Sequence, residues 1–201
     1  MKKIMLTAAA VLAFAFSNAQ ETKFGVKAGL NISNIGGDVE DNSAIVGFHV
    51  GGFAEIKLSE KFAIQPELLF STQGSKIEDS GENFSAEDKL NLSYINVPIM
   101  AKFYVAPKFS LEAGPQIGFL VSAKDKYKET FDGETISSNE DVKDNFKSID
   151  FGVNLGAGFD FTENLSAGVR YNIGLSNIAE AEGEDFKLNN SVFSLSVGYK
   201  F

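Results

Sequence analysis

His49 is the single histidine of the chain, and there is no cysteine. Few side chains are therefore able to move a proton or attack a carbonyl near neutral pH. A hydrolytic site would have to join His49 to a carboxylate, Glu55 or Glu67, and to a serine nucleophile such as Ser71 or Ser122. A histidine-based metal site would have to complete its shell with carboxylates, because thiolate ligands are excluded. Asp38, Glu40 and Asp41, and again Glu180, Glu182, Glu184 and Asp185, could meet a divalent cation or a protein partner, though neither run has EF-hand spacing. Gly156-Ala157-Gly158 lies within a strand pattern with no helix pattern after it, which excludes a phosphate loop.

A second constellation is larger. Lys27, His49, Glu55, Glu67, Lys102, Glu112, Asp150 and Arg170 all fall on the polar phase of segments that alternate apolar and polar residues. Charges of both signs at mid-strand suit an enclosed polar interior where they can pair, and Arg170 can grip a carboxylate with two donors at once. The set could relay protons or ions; the simpler reading is a structural salt-bridge network with His49 as a hydrogen-bonded interior side chain.

The elements that must position these residues are β-strands, since a strict period of two has no other source. Eight segments alternate: from Thr22 to Ile32, Val46 to Lys57, Phe62 to Gln73, Leu90 to Phe103, Phe109 to Phe119, Ile149 to Phe161, Leu165 to Leu175, and Ser191 to Phe201. The fourth changes phase after Tyr94, which predicts a bulge there. Connections are alternately long (33–44, 75–89, 122–147, 177–190) and short (Leu58 to Lys61, Ala106 to Lys108, Thr162 to Asn164), and the long ones read as polar loops. A final strand that is apolar on one face would be an aggregation-prone edge unless the first strand pairs with it and closes a barrel.

An eight-stranded barrel buries its apolar face when soluble and turns it to lipid when it spans a membrane. Segments of ten or more residues match a tilted membrane-crossing strand. The aromatics sort into two rings: Phe24, Phe62, Phe103, Phe109, Phe159, Phe161, Tyr199 and Phe201 near the short turns, and Phe48, Phe70, Tyr94, Phe119, Phe151, Tyr171 and Phe193 towards the long loops. Two aromatic belts around an aliphatic middle mark a membrane barrel. The expected fold is thus all-β, an eight-stranded antiparallel up-and-down transmembrane β-barrel. Its interior would be just wide enough for side chains, and with an even strand count both termini return to the short-turn rim.

Met1-Lys2-Lys3, the apolar run Ile4 to Phe16 and Ser17-Asn18-Ala19 read as a cleaved secretory signal peptide over 1–19, with one barrel domain over 20–201. The net charge is −9, and the four long connections hold nineteen of the 27 acids but eight of the 18 bases. Nucleic acid, which requires a basic surface, is excluded as a partner.

Gly25-Val26-Lys27-Ala28-Gly29-Leu30-Asn31, Tyr94-Ile95-Asn96-Val97-Pro98-Ile99-Met100-Ala101-Lys102, Arg170-Tyr171-Asn172-Ile173-Gly174-Leu175-Ser176-Asn177-Ile178 and the terminal Gly198-Tyr199-Lys200-Phe201 resemble the small outer-membrane β-barrel domain of Bacteroidota, often labelled PorT-like. The resemblance spans the mature chain. It implies an integral outer-membrane protein, and Phe201 looks like the terminal aromatic that barrel-assembly machinery reads. The expectation is a monomer in outer-membrane lipid of a Gram-negative bacterium, short turns in the periplasm and long loops outside, without catalysis or cofactor. Its role would be structural or interaction-mediating through the acidic loops. A narrow porin-like channel and a lipid-modifying enzyme are the alternatives.

Overall fold

The computed structural model describes residues 21–39, 41–180 and 186–201; the expected signal peptide lies outside them. Nine strands run in chain order: β1 Thr22–Gly37, β2 Asn42–Lys57, β3 Phe62–Gly81, β4 Phe84–Ala106, β5 Phe109–Phe131, β6 Glu134–Asp141, β7 Ile149–Asp160, β8 Leu165–Gly174 and β9 Leu188–Lys200. Every pairing is antiparallel. Eight strands close a ring, with β9 returning to β1 over a ladder from Gly25↔Lys200 to Gly37↔Leu188. The last strand's edge is therefore paired along its length, as the alternation required.

The ring is inside out. Val26, Leu30, Val50, Leu68, Ile99, Leu111, Leu155, Val169 and Val197 are exposed on its outer wall, whereas Asn31, Glu55, Gln65, Glu67, Lys102 and Asn154 are buried inside it. A water-soluble chain has no means of keeping so continuous an apolar wall dispersed. Outward residues come from one phase of every strand, so the period of two is what produces the inversion.

Three features differ from the sequence expectation. First, the long connections 75–89 and 122–147 are mostly strand. β3 and β4 continue as a hairpin to Gly81↔Phe84, and β5 runs on to pair with β4 on one side and β6 on the other. A four-stranded arm thus rises from the barrel, with β6 outside the ring. Its residues are polar on both faces, so alternation of hydrophobicity carried no signal. The Asp132-Gly133 turn did: both residues have positive φ, 47° and 85°, which matches a tight two-residue hairpin turn.

Second, β4 keeps one phase throughout. Leu92, Tyr94, Asn96, Met100, Lys102 and Tyr104 all face inward and are buried. What changes after Tyr94 is the chemistry of the interior, from apolar at the long-connection end to polar below. The irregularity sits on β5: Ser93 faces Ser122 and Tyr94 faces Leu120, so Val121 is the extra residue.

Third, Tyr94 does not belong to an outer belt. It is 0 % exposed and lies inside with Ile35, Leu92, Leu120, Ala123, Ile178, Ala179 and Leu188, in an apolar plug at the long-connection mouth. The other belt residues are on the outer wall, where Phe159–Phe161 and Tyr199–Phe201 meet edge to face at 5.2 and 5.7 Å.

Candidate functional site

The barrel interior is the best-defined polar constellation. Glu67 on β3 accepts both guanidinium nitrogens of Arg170 on β8, at 2.9 and 3.0 Å. It also accepts Lys27 Nζ at 2.7 Å and Gln65 Nε2 at 2.7 Å. β3 and β8 are four places apart in the eight-membered ring, so this bidentate pair crosses the full diameter. Arg170 reaches Glu112 on β5 as well, at 3.2 Å.

A second node lies nearer the short-turn rim. Glu55 on β2 receives Lys102 at 2.8 Å, Lys200 at 3.1 Å and the Tyr104 hydroxyl at 3.1 Å. Lys200 also meets Asp160 at 3.1 Å, and Lys102 lies 3.5 Å from Glu112, which joins the two nodes. Four acids (Glu55, Glu67, Glu112, Asp160) face four bases (Lys27, Lys102, Arg170, Lys200), and the eight residues come one from each strand of the ring. The network is neutral and ties every strand to at least one that is not its neighbour in the ring. In so dry a space each charge depends on its partner, since an unpaired ion would cost several kcal/mol, of the order of 3–5.

His49 stands above this network. Its ring nitrogens lie 2.8 Å from Asn31 Oδ1 and 2.9 Å from Ser196 Oγ. Ser71 accepts from Asn31 rather than meeting His49. Among the described residues no carboxylate is hydrogen-bonded to His49, so the orienting acid that general-base chemistry needs is not in place. Gly29 makes room for the ring: a Cβ there would lie 2.6 Å from His49 Cε1. Asp150, higher still, accepts from Asn190 at 2.7 Å and Ser176 at 2.7 Å, away from the charged nodes.

Sequence reasoning missed Lys200 and Tyr104 as members of the network. Lys200 was legible as the polar-phase residue between Tyr199 and Phe201. Tyr104 was not, because an aromatic near a rim reads as a belt residue. Among the described residues no group of three or more acids or histidines is placed to hold a metal ion. Two voids of about 30 Å³ each flank Arg170, and a wider recess of about 320 Å³ opens at the short-turn rim beside Glu55, Asp160 and Lys200. Each of the two voids is about the volume of one water molecule.

An inside-out ring of eight antiparallel strands around a charged, filled interior is the architecture of an outer-membrane barrel. The family model described as outer membrane protein beta-barrel domain matches residues 17–180. The chain belongs to that family. It is an outer-membrane β-barrel protein, and its apolar wall faces lipid. Among solved structures, Ail, the attachment invasion locus protein of Yersinia pestis, is 14% identical over 90% of this chain and 99% of that chain, with a TM-score of 0.50. Neisserial surface protein A is 15% identical over 90% of this chain and 99% of that chain, with a TM-score of 0.51. At such identities the likeness shows the fold. No curated protein matches the chain.

Proposed function

We propose that this protein is a non-catalytic, monomeric barrel of a Gram-negative outer membrane that works as a structural and interaction module through the hairpins at its long-connection end. The observation that carries the reading is the closed interior. A neutral charge network spans the lumen, and above it Ile178 and Ala179 fold back into the mouth. The connection carrying them is fixed by backbone hydrogen bonds from Lys147 to Ile178 at 2.8 Å, from Glu180 to Asn145 at 2.9 Å and from Ile178 to Leu188 at 2.9 Å. A filled lumen leaves the projecting arm and its acidic surroundings as the working surface.

Orientation follows the usual rule for such barrels, with short turns in the periplasm and long hairpins outside. The two outer rings of aromatics mark where the wall meets the two interfaces and so set the depth of the barrel in the bilayer. A protein partner fits the acidic end better than a cation does, because the described acids are spread along the arm and in no place gather three ligands for a metal ion. The sequence motifs of β1 and β4 support a finer placement among PorT-like barrels of Bacteroidota. Phe201, at the end of the closing strand, is proposed as the signal for barrel assembly.

The absence of cysteine makes the test free of background. Ser138→Cys, on β6, should react with a membrane-impermeant maleimide in intact cells, and Thr162→Cys, in a short turn, should react only after the membrane is opened. A photocrosslinker attached at Ser138→Cys should yield discrete protein adducts in intact cells. Labelling of Thr162→Cys alone would reverse the orientation, and failure to crosslink any protein would remove the interaction role.

A further inference from the structure

Above the apolar plug, between the arm and the two connections that fold over the mouth, is a pocket of about 440 Å³. Its lining is mainly apolar, from Ile35, Leu90, Val142, Phe146, Phe186 and Leu188. Pockets of this size and character bury a small organic molecule and orient it with a few polar groups. The charged groups here are mostly carboxylates, Asp88, Asp125 and Glu180, with Ser75 and Asn145 as neutral polar neighbours. Asp88 and Leu90 share one face of β4, Asp125 is the register partner of Leu90 on β5, and the two acids are therefore diagonal neighbours on the pocket wall. Lys76, also at the wall, is engaged by Glu78 at 2.6 Å. Lys89 and Lys126 alternate to the opposite face.

Asp125 presents an acceptor with no base beside it. Its Oδ1 is shut off from solvent and, with both acids ionised, has no hydrogen-bond donor among the described residues. Such an atom costs free energy until a donor arrives, and a positively charged donor serves it best. The apolar walls and the paired acids select together for one chemistry. An alcohol would satisfy the walls and leave the negative charge unmatched; a carboxylate would be repelled.

We infer that this pocket is a binding site for a small apolar molecule bearing a protonated amine, with the amine donating to Asp125 and Asp88 and the apolar body lying against Phe146, Val142 and Leu90. The inference stands apart from the interaction role of the hairpins, because it needs no macromolecular partner.

The test uses the full barrel in zwitterionic phospholipid nanodiscs, with empty nanodiscs as the blank. Three probes of matched size, 2-phenylethylamine, 2-phenylethanol and 3-phenylpropionate, are titrated while amide signals of β4 and β5 are followed by NMR. The amine should bind saturably and at least about tenfold tighter than the alcohol, the ratio expected for one charged hydrogen bond. The carboxylate should not bind. The double variant Asp88→Asn, Asp125→Asn should bring amine and alcohol to equal affinity. Val142→Trp, which fills the pocket without touching its charge, should weaken both. Heat-modifiable gel mobility confirms that each variant is folded. The inference is overturned if the amine binds no tighter than the alcohol, if its preference survives in the double variant, if Val142→Trp binds as the parent does, or if no probe saturates.

Discussion

Glu67 takes four hydrogen bonds, three from charged donors on two other strands and one from Gln65 two residues before it. Its worth is best measured through Arg170. Removing Arg170 leaves Glu67 with Lys27 and Glu112 with Lys102 alone, so the interior keeps one excess negative charge. Arg170→Met should therefore destabilise the barrel by roughly 3 kcal/mol, the low end of the cost of breaking a buried pair. Pairing it with Glu67→Met restores neutrality, with three bases facing three acids, and should recover much of the loss. Unfolding by guanidinium in detergent reads both numbers; equal stability of Arg170→Met and the parent would show that the network contributes nothing. Phe201 is a different kind of residue. Its ring is 72 % exposed and touches Tyr199 at the rim, so little packing energy depends on it. Its backbone N–H nevertheless reaches Phe24 O at 2.9 Å, tying the chain end to β1. Replacing it with Ala keeps that bond. Phe201→Ala should lower the amount of barrel inserted in cells while leaving the unfolding midpoint of the refolded protein unchanged, and a parallel fall in both would assign Phe201 to stability instead of assembly.

At the scale of elements, the arm of β3, β4, β5 and β6 is the feature that departs furthest from a simple ring. It is held by ladders in place of a core, and its inner face carries the Asp88–Asp125 pair. The hydrogen bond with Asp88, then burial and the charges of Asp88 and Glu140, push the Asp125 carboxyl up to about 6 from its usual 3.8. Between those two values the folded arm holds a proton that the unfolded chain has released. Its contribution to stability is thus full below 3.8, falls as pH rises through the window, and is gone above about 6. Asp125→Asn cannot ionise. At pH 7.5 amide exchange in β4 and β5 of the arm should be slower in this variant than in the parent, and at pH 3.5 the two should match. An identical difference at both pH values would mean that the proton plays no part. The Val121 bulge belongs to the same element. It turns Ala123 and Asp125 inward where an unbroken alternation from Leu120 would have sent them out, and it thereby lines the pocket wall.

For the whole molecule, the filled lumen makes a definite statement about permeation. Between the two voids of about 30 Å³, Arg170 crosses the lumen to Glu67 and Glu112 and stands in the way of a hydrated ion. Planar-bilayer recording of the refolded barrel should give no discrete conductance steps, and reproducible steps that vanish on antibody binding to the arm would establish the channel alternative. The acidic bias of the long-connection end coexists with an ion-pair network that is neutral, so most of the protein's net charge belongs to its projecting parts. An opposing basic surface would feel it over about 8–10 Å at physiological ionic strength and less at higher salt.

The sequence by itself determined the inversion of the barrel. Alternation gives every strand one apolar and one polar face, and a closed ring of such strands can only send each face wholly in or wholly out; segment length and the sorting of aromatics then choose out. Closure of β9 on β1 and the inward placement of Lys27, Glu55, Glu67, Lys102, Glu112 and Arg170 came from the same periodicity. Only the tertiary structure decided who pairs with whom. Arg170 and Glu67 are 103 residues apart in the chain and meet because the ring sets β3 opposite β8. It also decided that Tyr94 points in, that Ile178 closes the mouth, and that the connection 122–147 is largely a hairpin. These depend on contacts between distant segments, and in the arm both faces are polar, so local hydrophobic pattern had nothing to report. The one local cue there, Asp132-Gly133, specifies a turn, and the ladders with β4 are what extend it into an arm.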